Sequence, residues 1–489
     1  MEHSFVTQQL ILSTFGIESA RVALTNGTEL EIVAVVRLVP GRRVVCRAQW
    51  NGQYVYAKFF AGKKAHYYCE RDKLGVGLLI QHNIKTPPLL FADKLKQIDA
   101  EVLVFAEIKP SENAEVVWRA SDSNKRFDLA VRLVLELAGH HRAHLLQTDL
   151  YLKNFLVSDD SIYTLDGDGV RHYSKLSRQC ALANLATLLS KFDVLDVQAW
   201  LVDLLKVYAD ASARHTLPSH PHMLRLINHK RKGAANRYAD AKVFRKCTDV
   251  EVDQTSRHFQ AISTQFPLIQ SSMVSEKLDD LINTQTLLKS GNTCTVALAN
   301  IENVPLVIKR YNIKNIWHGI ARALRKTRAS ASWANAYRLT LLGIATPKPI
   351  ALIEQRYFGL RGKAYFVSEY LEAPDANLFF EQKPEQVARA TAIHNIVILF
   401  YRLFLLKISH GDMKATNIKL LDASPWLIDL DSMRQHDWDG FALKAHVQDL
   451  KRFMKNWQDE PSLYNAFIKE FFAVYADPHP LRLAGLSNY

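Results

Sequence analysis

Runs of apolar residues predict strands and helices in the same order in both halves of the chain. In the first half, YVYAKFF at 54–60 alternates up to Lys58, and a helical stretch and then EVLVFAEI at 101–108 follow. In the second half, VPLVIKRY at 304–311 and AYFVSEYL at 364–371 take the same places. Short runs rich in Val, Tyr and Phe are typical of strands, and the remainder of each half is mainly helical. The pattern predicts α+β units with a strand-rich lobe and a helical lobe.

The most apolar stretch of helix length runs from Ile396 to Ile408 and contains Arg402 and Lys407. Its 13 residues fall short of the ~20 that cross a bilayer. We therefore expect a buried core helix. The N-terminal segment carries Glu2 in place of a basic region and has only a short apolar stretch, so no export signal is expected.

Polar residues recur at the same spacing in the two halves. In each, an Asp is followed by an Asn five residues later and by further Asp residues at 17 and 19. Each set follows a strand lysine and a Thr-Pro pair, and each precedes the string VYAD. Ordered landmarks of this kind indicate a duplicated unit of about 220 residues. We predict a first domain at 1–250, a linker at 251–275 and a second domain at 276–489. The two sets are Asp149, Asn154, Asp166 and Asp168, and Asp412, Asn417, Asp429 and Asp431.

Charge narrows the class of partner. The 489 residues include 62 Lys and Arg against 49 Asp and Glu, a net charge of +13 with a pI near 9.3. Such a balance favours nucleic acid, anionic lipid or a phosphorylated substrate as partner. No nucleic-acid-binding motif accompanies the basic residues, so nucleic acid is not expected. The five cysteines are widely spaced without metal-ligand patterns, which is typical of reduced thiols in a cytosolic protein.

The repeated residues have the chemistry of phosphoryl transfer. Carboxylate and amide oxygens suit Mg²⁺, a carboxylate can accept the proton of a hydroxyl, and a strand lysine can contact phosphates. The alternative is that the Asp and Asn residues cap turns and the lysines are solvated. The order matches the protein-kinase-like plan. In that plan the phosphate-contacting lysines are Lys58 and Lys309, the proton acceptors are Asp149 and Asp412, and the magnesium ligands are Asn154, Asp166, Asn417 and Asp429.

Longer strings resemble the Kdo/WaaP (InaA-like) lipopolysaccharide kinase family. The resemblance implies two tandem protein-kinase-like bilobal domains. It also implies ATP- and Mg²⁺-dependent phosphorylation of a sugar hydroxyl in the lipopolysaccharide inner core, at the cytoplasmic face of the inner membrane. The partner would be the core glycolipid, with peripheral contact to the anionic membrane. The strings are VIKRYNIKN at 307–315, RASASWANAYRLTLLGIATPKPIALIE at 328–354, RGKAYFVSEYLE at 361–372 and HGDMKATNIKLL at 410–421, with LVPGRRVVC, VYAKFF and QTDLYLKNFLV in the first half.

Each half departs from the kinase pattern at one position of its own, and both lack the glycine-rich loop. Glu70 and Asp72 are the candidates on the following helix to pair with Lys58, and we assign Glu70 to the cofactor site. No acidic residue occurs between Lys309 and Glu354, so the second lysine lacks a helix partner. The first half has Gln147 where the second has a histidine, and neither half has a GxGxxG loop.

Other interpretations remain open at this stage. One repeat is an inactive pseudokinase that binds nucleotide or acts as a scaffold, or the acceptor is a protein. The acid-free stretch 310–328 predicts a basic helix that either lies on an anionic membrane or packs on the sheet. The basic stretch 229–246 is either a lipid contact or a solvated loop.

Overall fold

The computed structural model describes residues 21–39, 41–95, 100–212, 218–291, 294–312, 326–357 and 360–487. Its backbone divides into two compact units, Met1–Arg231 and Lys232–Tyr489. Each unit contains a large antiparallel sheet followed by helices, so the α+β class is confirmed. The arrangement as two tandem kinase-like bilobal domains stays a prediction.

The first unit is built on a six-stranded antiparallel sheet. Along β4, alternate residues Val55, Ala57 and Phe59 are fully buried, while Lys58 points to the opposite face. The strands lie in the order β1-β2-β3-β4-β6-β5. They are β1 (Arg21–Ala23), β2 (Glu29–Val39), β3 (Arg43–Trp50), β4 (Gln53–Ala61), β5 (Leu89–Leu95) and β6 (Ala100–Ala106).

Helix α1 (Ala65–Gln81) packs on this sheet through Cys69 and Val76. Its Gly75 lies against the backbone of Gly167, where an added Cβ would meet the Gly167 carbonyl oxygen at 2.0 Å. A Cβ on Gly167 would in turn meet the Asp72 carbonyl oxygen at 2.3 Å. The two glycines therefore hold α1 and the loop around Gly167 in direct backbone contact.

The rest of the first unit is mainly helical. Side chains of Asn113, Asp122 and Ser177 cap the helices that follow them, each accepting a backbone N–H of the first turn. The helices are α2 (Ala114–Ala120), α3 (Ser123–Arg142), α4 (Arg178–Leu189), α5 (Val194–Ala211) and α6 (His220–Ala239), within which the division between the units falls. Short strands are β7 (Glu112–Asn113), β8 (Leu145–Gln147), β9 (Phe155–Ser158), β10 (Ser161–Thr164) and β11 (Val170–His172).

The second unit has a seven-stranded antiparallel sheet in the order β12-β13-β17-β18-β16-β15-β14. Relative to the first sheet it lacks a β1 equivalent and gains β12 and β13 at the opposite edge. The strands are β12 (Val250–Gln254), β13 (His258–Ser263), β14 (Thr286–Ser290), β15 (Cys294–Ile301), β16 (Val304–Tyr311), β17 (Pro349–Tyr357) and β18 (Leu360–Glu369).

Residues 251–275 do not form the linker that the sequence suggests. They contain most of β12 and all of β13, and Ala261 of β13 pairs with Leu352 of β17. Phe259 and Ala261 are buried, because alternate residues of β13 face the core. The basic stretch 229–246 is also not a loop, since it contains the end of α6 and a 3₁₀ turn at Lys242–Phe244.

Helices complete the second unit. They are α7 (Ser275–Thr284), α8 (Arg328–Leu341), α9 (Ala376–Glu381), α10 (Gln386–Leu405), α11 (Asp439–Met454), α12 (Pro461–Val474) and α13 (His479–Leu483). Short strands are β19 (Ile408–Ser409), β20 (Ile418–Leu421), β21 (Ser424–Leu427) and β22 (Arg434–Gln435).

Among the described helices, α10 alone has the length and apolar composition to cross a membrane. Its residues Ile396, Phe400 and Leu403 are buried in the second unit. Packed aromatic rings, with Phe400 5.0 Å from Phe453, are typical of a core helix. The predicted basic helix at 310–328 lies mostly on residues 313–325, outside the described residues.

Candidate functional site

In the first unit, the strand lysine meets one acid from the helix and one from the loop. Lys58 Nζ is 2.8 Å from Asp72 Oδ2 and 3.6 Å from Asp166 Oδ1. The helix partner is therefore Asp72 and not the predicted Glu70, which is exposed and pairs with Lys73. Residues two apart on a helix point about 200° apart around its axis, so only one of them can face Lys58.

Arg43 of β3 also binds the loop aspartate. Its Nη1 and Nη2 lie 3.1 and 3.3 Å from the two carboxylate oxygens of Asp166, and Nη1 is 3.7 Å from Asp72. Burial alone would raise the pKa of Asp166, but the charges of Lys58 and Arg43 hold it well below its usual value. Burial raises the pKa of Asp72, despite the opposing charge of Lys58. Asp166 is thus paired on both of its oxygens.

The predicted catalytic loop of the first unit lies beside this cluster. Asn154 Nδ2 donates to the backbone oxygen of Asp149 at 2.9 Å. Gln147 Nε2 donates to the backbone oxygen of Asp166 at 3.3 Å, and its Oε1 accepts from the Asp149 N–H. Asn184 of α4 donates to the Gln147 backbone oxygen at 2.8 Å. Amide side chains therefore fix this loop.

A cavity of about 380 Å³ opens onto the cluster. It is lined by three of the predicted site residues, Lys58, Asn154 and Asp166. Its walls combine apolar side chains with several cations, which is typical of a ligand pocket. The apolar part includes Val45, Phe105, Ala106, Leu156 and Leu165, and the cations are Arg37, Arg43, Lys58, Lys109 and Lys153.

In the second unit, the strand lysine contacts two loop aspartates. Lys309 Nζ forms salt bridges with Asp429 and, at 3.1 Å, with Asp431. Arg328 Nη2 is 2.8 Å from Asp431, and Tyr311 donates its hydroxyl to the same carboxylate. Burial would raise the pKa of Asp431, but Lys309 and Arg328 lower it below its usual value. The pKa of Lys309 is raised, because Tyr311 and the two acids outweigh the effect of burial.

Helix α8 contributes the cation Arg328 and neutral groups where α1 contributes an acid. Ser332 lies 14 residues before Thr346, as Asp72 lies before Thr86, and its hydroxyl bonds Tyr311 at 3.0 Å. Asn335 occupies the place of Gly75 and donates to the backbone oxygens of Leu430 and Met433 at 2.9 and 3.0 Å. The absence of an acid from this stretch of sequence is thus compensated by the two loop aspartates.

The predicted catalytic loop of the second unit contains Asp412 and Asn417. Asn417 Nδ2 donates to the Asp412 backbone oxygen at 2.8 Å, as Asn154 does in the first unit. The backbone N–H groups of His410 and Gly411 donate to the Asp449 carboxylate at 2.7 and 3.0 Å. Burial raises the pKa of Asp449, although both N–H donors oppose this. His410 Nε2 lies 2.9 Å from the Ile428 backbone oxygen, so the loop is fixed from both sides.

A basic groove of about 990 Å³ adjoins Asp412. The Asp412 carboxylate pairs with Lys414 at 3.2 Å and with Arg452 at 2.5 Å. Arg434, Lys451 and Lys455 also line this groove and have no carboxylate partner among the described residues. His436 also lines this groove, and its pKa is lowered, mainly by burial and to a lesser extent by the charges of Arg434 and Lys232. We call this surface the basic groove.

The two units differ in how well their oxygens suit magnesium. Mg²⁺ is usually bound by one or two carboxylates together with substrate phosphates. In the second unit, Asn417 uses its amide nitrogen on Asp412, which leaves its amide oxygen to offer a cation, and the salt-bridge partner of Asp429 is Lys309. A carboxylate and an amide oxygen of this kind suit Mg²⁺. In the first unit, the buried guanidinium of Arg43 covers both oxygens of Asp166, which does not fit. Across the described residues, no three His, Cys, Asp or Glu side chains form a metal cluster.

The sequence analysis missed several residues of these sites. Arg43, Arg328 and Ser332 lie outside the repeated set, and their partners become evident only from strand and helix register. Asp449 follows Asp412 by 37 residues and Asn184 follows Asp149 by 35, each on a largely apolar helix. A polar residue at nearly the same offset in both halves was the signal that could have found this pair.

Comparison with known proteins identifies the second unit. No curated protein matches the chain. The model of the lipopolysaccharide kinase (Kdo/WaaP) family matches residues 282–475, which include Lys309, Asp412, Asn417 and Asp429. The family is one of phosphotransferases that act on lipopolysaccharide. The predicted resemblance is confirmed for this part of the chain: residues 282–475 match the model of the lipopolysaccharide kinase (Kdo/WaaP) family.

Proposed function

We propose that the protein is an ATP- and Mg²⁺-dependent kinase that phosphorylates a sugar hydroxyl of the lipopolysaccharide inner core, and that its second unit performs the transfer. The observation that carries the proposal is a continuous set of contacts in the family domain. Lys309 pairs with Asp429, the Ile428 N–H beside Asp429 donates to the Asn417 backbone oxygen at 3.0 Å, and Asn417 bonds the Asp412 backbone. These contacts link the chain segments that carry one cation, Lys309, two carboxylates, Asp412 and Asp429, and one amide, Asn417.

Each group has a role in this proposal. When ATP binds, Lys309 exchanges its salt bridges with Asp429 and Asp431 for contacts with the phosphates. Asp412 accepts the proton of the acceptor hydroxyl. Asp429 and Asn417 would hold Mg²⁺, which supplies positive charge to the transferred phosphoryl group. Asp449 fixes the backbone of the catalytic loop through two hydrogen bonds, so that Asp412 keeps its position.

The basic groove supports an acceptor with several negative charges. Three of its cations lack a carboxylate partner among the described residues, and they come from different elements: Arg434 from β22, Lys451 from the last turn of α11 and Lys455 from the turn that follows. The helix macrodipole explains a cation in the last turn of α11, but it does not explain Arg434. Carboxylates or phosphates of a core glycolipid beside the accepting hydroxyl would neutralise these charges.

The proposal includes a position at the cytoplasmic face of the inner membrane. Trp438 and Phe441 have exposed fractions of 73% and 68%. They line one shallow pocket together with Arg434 and Lys444. Exposed aromatic rings beside cations suit the interface of an anionic bilayer. We expect Trp438→Ser with Phe441→Ser to reduce sedimentation with phosphatidylglycerol vesicles, whereas Val387→Ser, which removes another exposed apolar side chain, leaves it unchanged.

The direct test is transfer of labelled phosphate from ATP to purified core oligosaccharide. Because general-base catalysis is worth about 10²–10⁴-fold, Asp412→Asn should reduce kcat by that factor. Asp149→Asn should leave the rate close to that of the unchanged chain. Label found on protein and absent from the oligosaccharide would instead support the protein-kinase alternative. Equal losses from both variants would contradict assignment to the second unit.

The acceptor groove has its own test. Replacing Arg434, Lys451 and Lys455 by Gln should raise the KM for core oligosaccharide by about 10- to 100-fold, because charge-assisted hydrogen bonds are lost. The KM for ATP should not change. The matched control replaces Lys348, Lys469 and Arg482 by Gln, which removes the same number of exposed Lys and Arg side chains outside the groove. A similar KM in the two triple variants would contradict the groove assignment.

A second proposal concerns the first unit, which we assign as a pseudokinase. The specific observation is the bidentate pair between Arg43 and Asp166, which places a guanidinium on both oxygens of the predicted metal ligand. Gln147 and Asn184 also stand where the second unit has His410 and Asp449. We expect this unit to transfer no phosphate, and the Asp149→Asn variant above tests that expectation.

A further inference from the structure

We propose that the cleft of the first unit is a magnesium-independent binding site for a nucleoside polyphosphate, in which Arg43 supplies the positive charge that a metal would otherwise bring to Asp166. This inference concerns ligand binding by the first unit. It does not rest on phosphate transfer by the second unit, so the two can fail separately.

The electrostatics at the inner end of the cleft support this inference. A bare carboxylate beside a polyphosphate would repel it, and a metal commonly bridges the two. Here the Arg43 guanidinium already neutralises Asp166, with both N···O distances at or below 3.3 Å. The Arg43 side chain is 7% exposed, so water screens this pair weakly. Binding a metal at Asp166 would require displacing a buried cation.

Unused donors at the same place point to a ligand. Arg43 Nε is buried and has no hydrogen-bond partner among the described residues. Arg37 and Lys153 line the cavity and form no salt bridge within the described part of the chain. Together with Lys58, these side chains bring several N–H donors to the cavity. Of the three carboxylates that line it, Asp166 is paired with Arg43, and Glu107 is paired with Arg47 and Lys109. Phosphate oxygens are the acceptors that such a set binds most strongly.

The apolar side chains that line the cleft suit a planar apolar group. Val45 and Phe105 come from the sheet, and Leu156 and Leu165 come from β9 and the loop after β10. The volume of about 380 Å³ is within the range of small-molecule pockets. A pocket that combines apolar walls with a cluster of cations matches a nucleoside joined to a phosphate chain.

The second unit provides the internal reference. Arg43 pairs across the hairpin with Phe60, two residues after Lys58, and Cys294 pairs with Tyr311, two residues after Lys309. Cys294 therefore occupies the position of Arg43. A thiol cannot neutralise the carboxylate of Asp429. At this one strand position, the first unit therefore has a cation that can replace a metal, and the second unit does not.

The test is equilibrium dialysis of radiolabelled ATP against the full chain in excess EDTA, with and without added Mg²⁺. We expect one ATP to bind per chain in EDTA, and this binding should persist in Lys309→Met. Arg43→Cys, which copies the second unit, should weaken binding in EDTA at least about tenfold and should make binding depend on Mg²⁺.

A second variant keeps the test decisive if Arg43→Cys does not fold. Arg37→Gln with Lys153→Gln removes cations outside the buried pair and should weaken binding in EDTA by about 10- to 100-fold. The control is Lys125→Gln with Arg142→Gln, two exposed cations on α3 of the same unit. Absence of ATP binding in EDTA, or equal binding by the double variant and its control, would overturn the inference.

Discussion

The two units carry the same strand lysine and loop residues, but different side chains balance the charges of the lysine and the loop aspartates. In the first, the helix supplies an acid, Asp72, and strand β3 supplies Arg43, so two cations face two carboxylates. In the second, the helix supplies no acid but supplies Arg328, which pairs with Asp431, and Asp431 takes the role of the acid. Cations and carboxylates are paired in both units, but only the second leaves its predicted magnesium ligand, Asp429, without a guanidinium among the described contacts.

This difference shows that a repeated motif does not guarantee a repeated activity. The motif residues of the first unit are complete except for Gln147, and its cleft is well formed. A single arginine outside the motif changes what Asp166 can bind. We therefore expect exchanges of residues between the two units to be more informative than deletion of the shared residues.

The largest effect is expected from Cys294→Arg, which gives the second unit the guanidinium of the first. The new side chain should pair with Asp429 and reduce phosphate transfer by about 10²–10³-fold, the usual loss when a charged group of a transition-state site is disabled. Steady-state transfer to core oligosaccharide measures it. Cys294→Ser is the control for the buried position and should retain activity. Full activity of a folded Cys294→Arg chain would contradict the comparison.

The next effect concerns the contact of α1 with the loop at Gly167, which the second unit does not share. Gly75→Ala should lower the free energy of unfolding by about 3 kcal/mol, because the methyl group would overlap the Gly167 carbonyl. Gly77→Ala on the same helix meets no atom within 4 Å and should be neutral or stabilising. Urea denaturation compares the two. Equal stabilities would show that the loop moves aside easily.

A smaller effect is expected where the second unit replaces that contact by hydrogen bonds. Asn335→Ala leaves the carbonyls of Leu430 and Met433 without their shared donor. Because an unsatisfied buried polar group is costly, we expect a loss of about 2 kcal/mol in unfolding free energy. Thr340→Ala on the same helix, whose hydroxyl bonds only its own helix backbone, should cost less. Thermal denaturation measures the loss of stability in both variants, and an equal loss would contradict this expectation.

The smallest effect is expected from His410→Gln, which copies Gln147. A glutamine amide at this position can donate to the loop backbone, as Gln147 does to Asp166. The loss should correspond to about one neutral hydrogen bond, or about 3- to 10-fold in kcat. A loss as large as that of Asp412→Asn would mean that His410 itself takes part in the chemistry and would weaken the positional comparison.

Much of the candidate site could be predicted from the sequence, since it depends on local spacing. The Asp, Asn and Lys residues lie on short loops and strand ends whose geometry is fixed within about 20 residues of chain, and their repetition at equal offsets exposed them. Helix spacing could also have favoured Asp72 over Glu70, because Ser332 stands at the matching distance from the Thr-Pro pair.

The missed features depend on long-range pairing. Arg43 and Asp166 are 123 residues apart in the chain, and their contact requires the hairpin register of β3 and β4 together with the position of the loop. The stretch 251–275, which contains β13 and most of β12, was predicted as a linker because it lies between the basic stretch that ends the first repeat and the point where the repeated pattern starts again. The assignment of these strands depends on pairing with β17, about 90 residues later, which local patterns do not contain.

Strands β12 and β13 determine where the chain can be truncated. A fragment that begins at residue 276 would lack β13 and leave the backbone N–H and C=O groups of β17 without their partner along five paired residues. Exposed strand edges of this kind recruit other chains, so such a fragment should aggregate even though its catalytic loop is intact. Dissection of the second unit therefore has to retain the residues from Val250 onward.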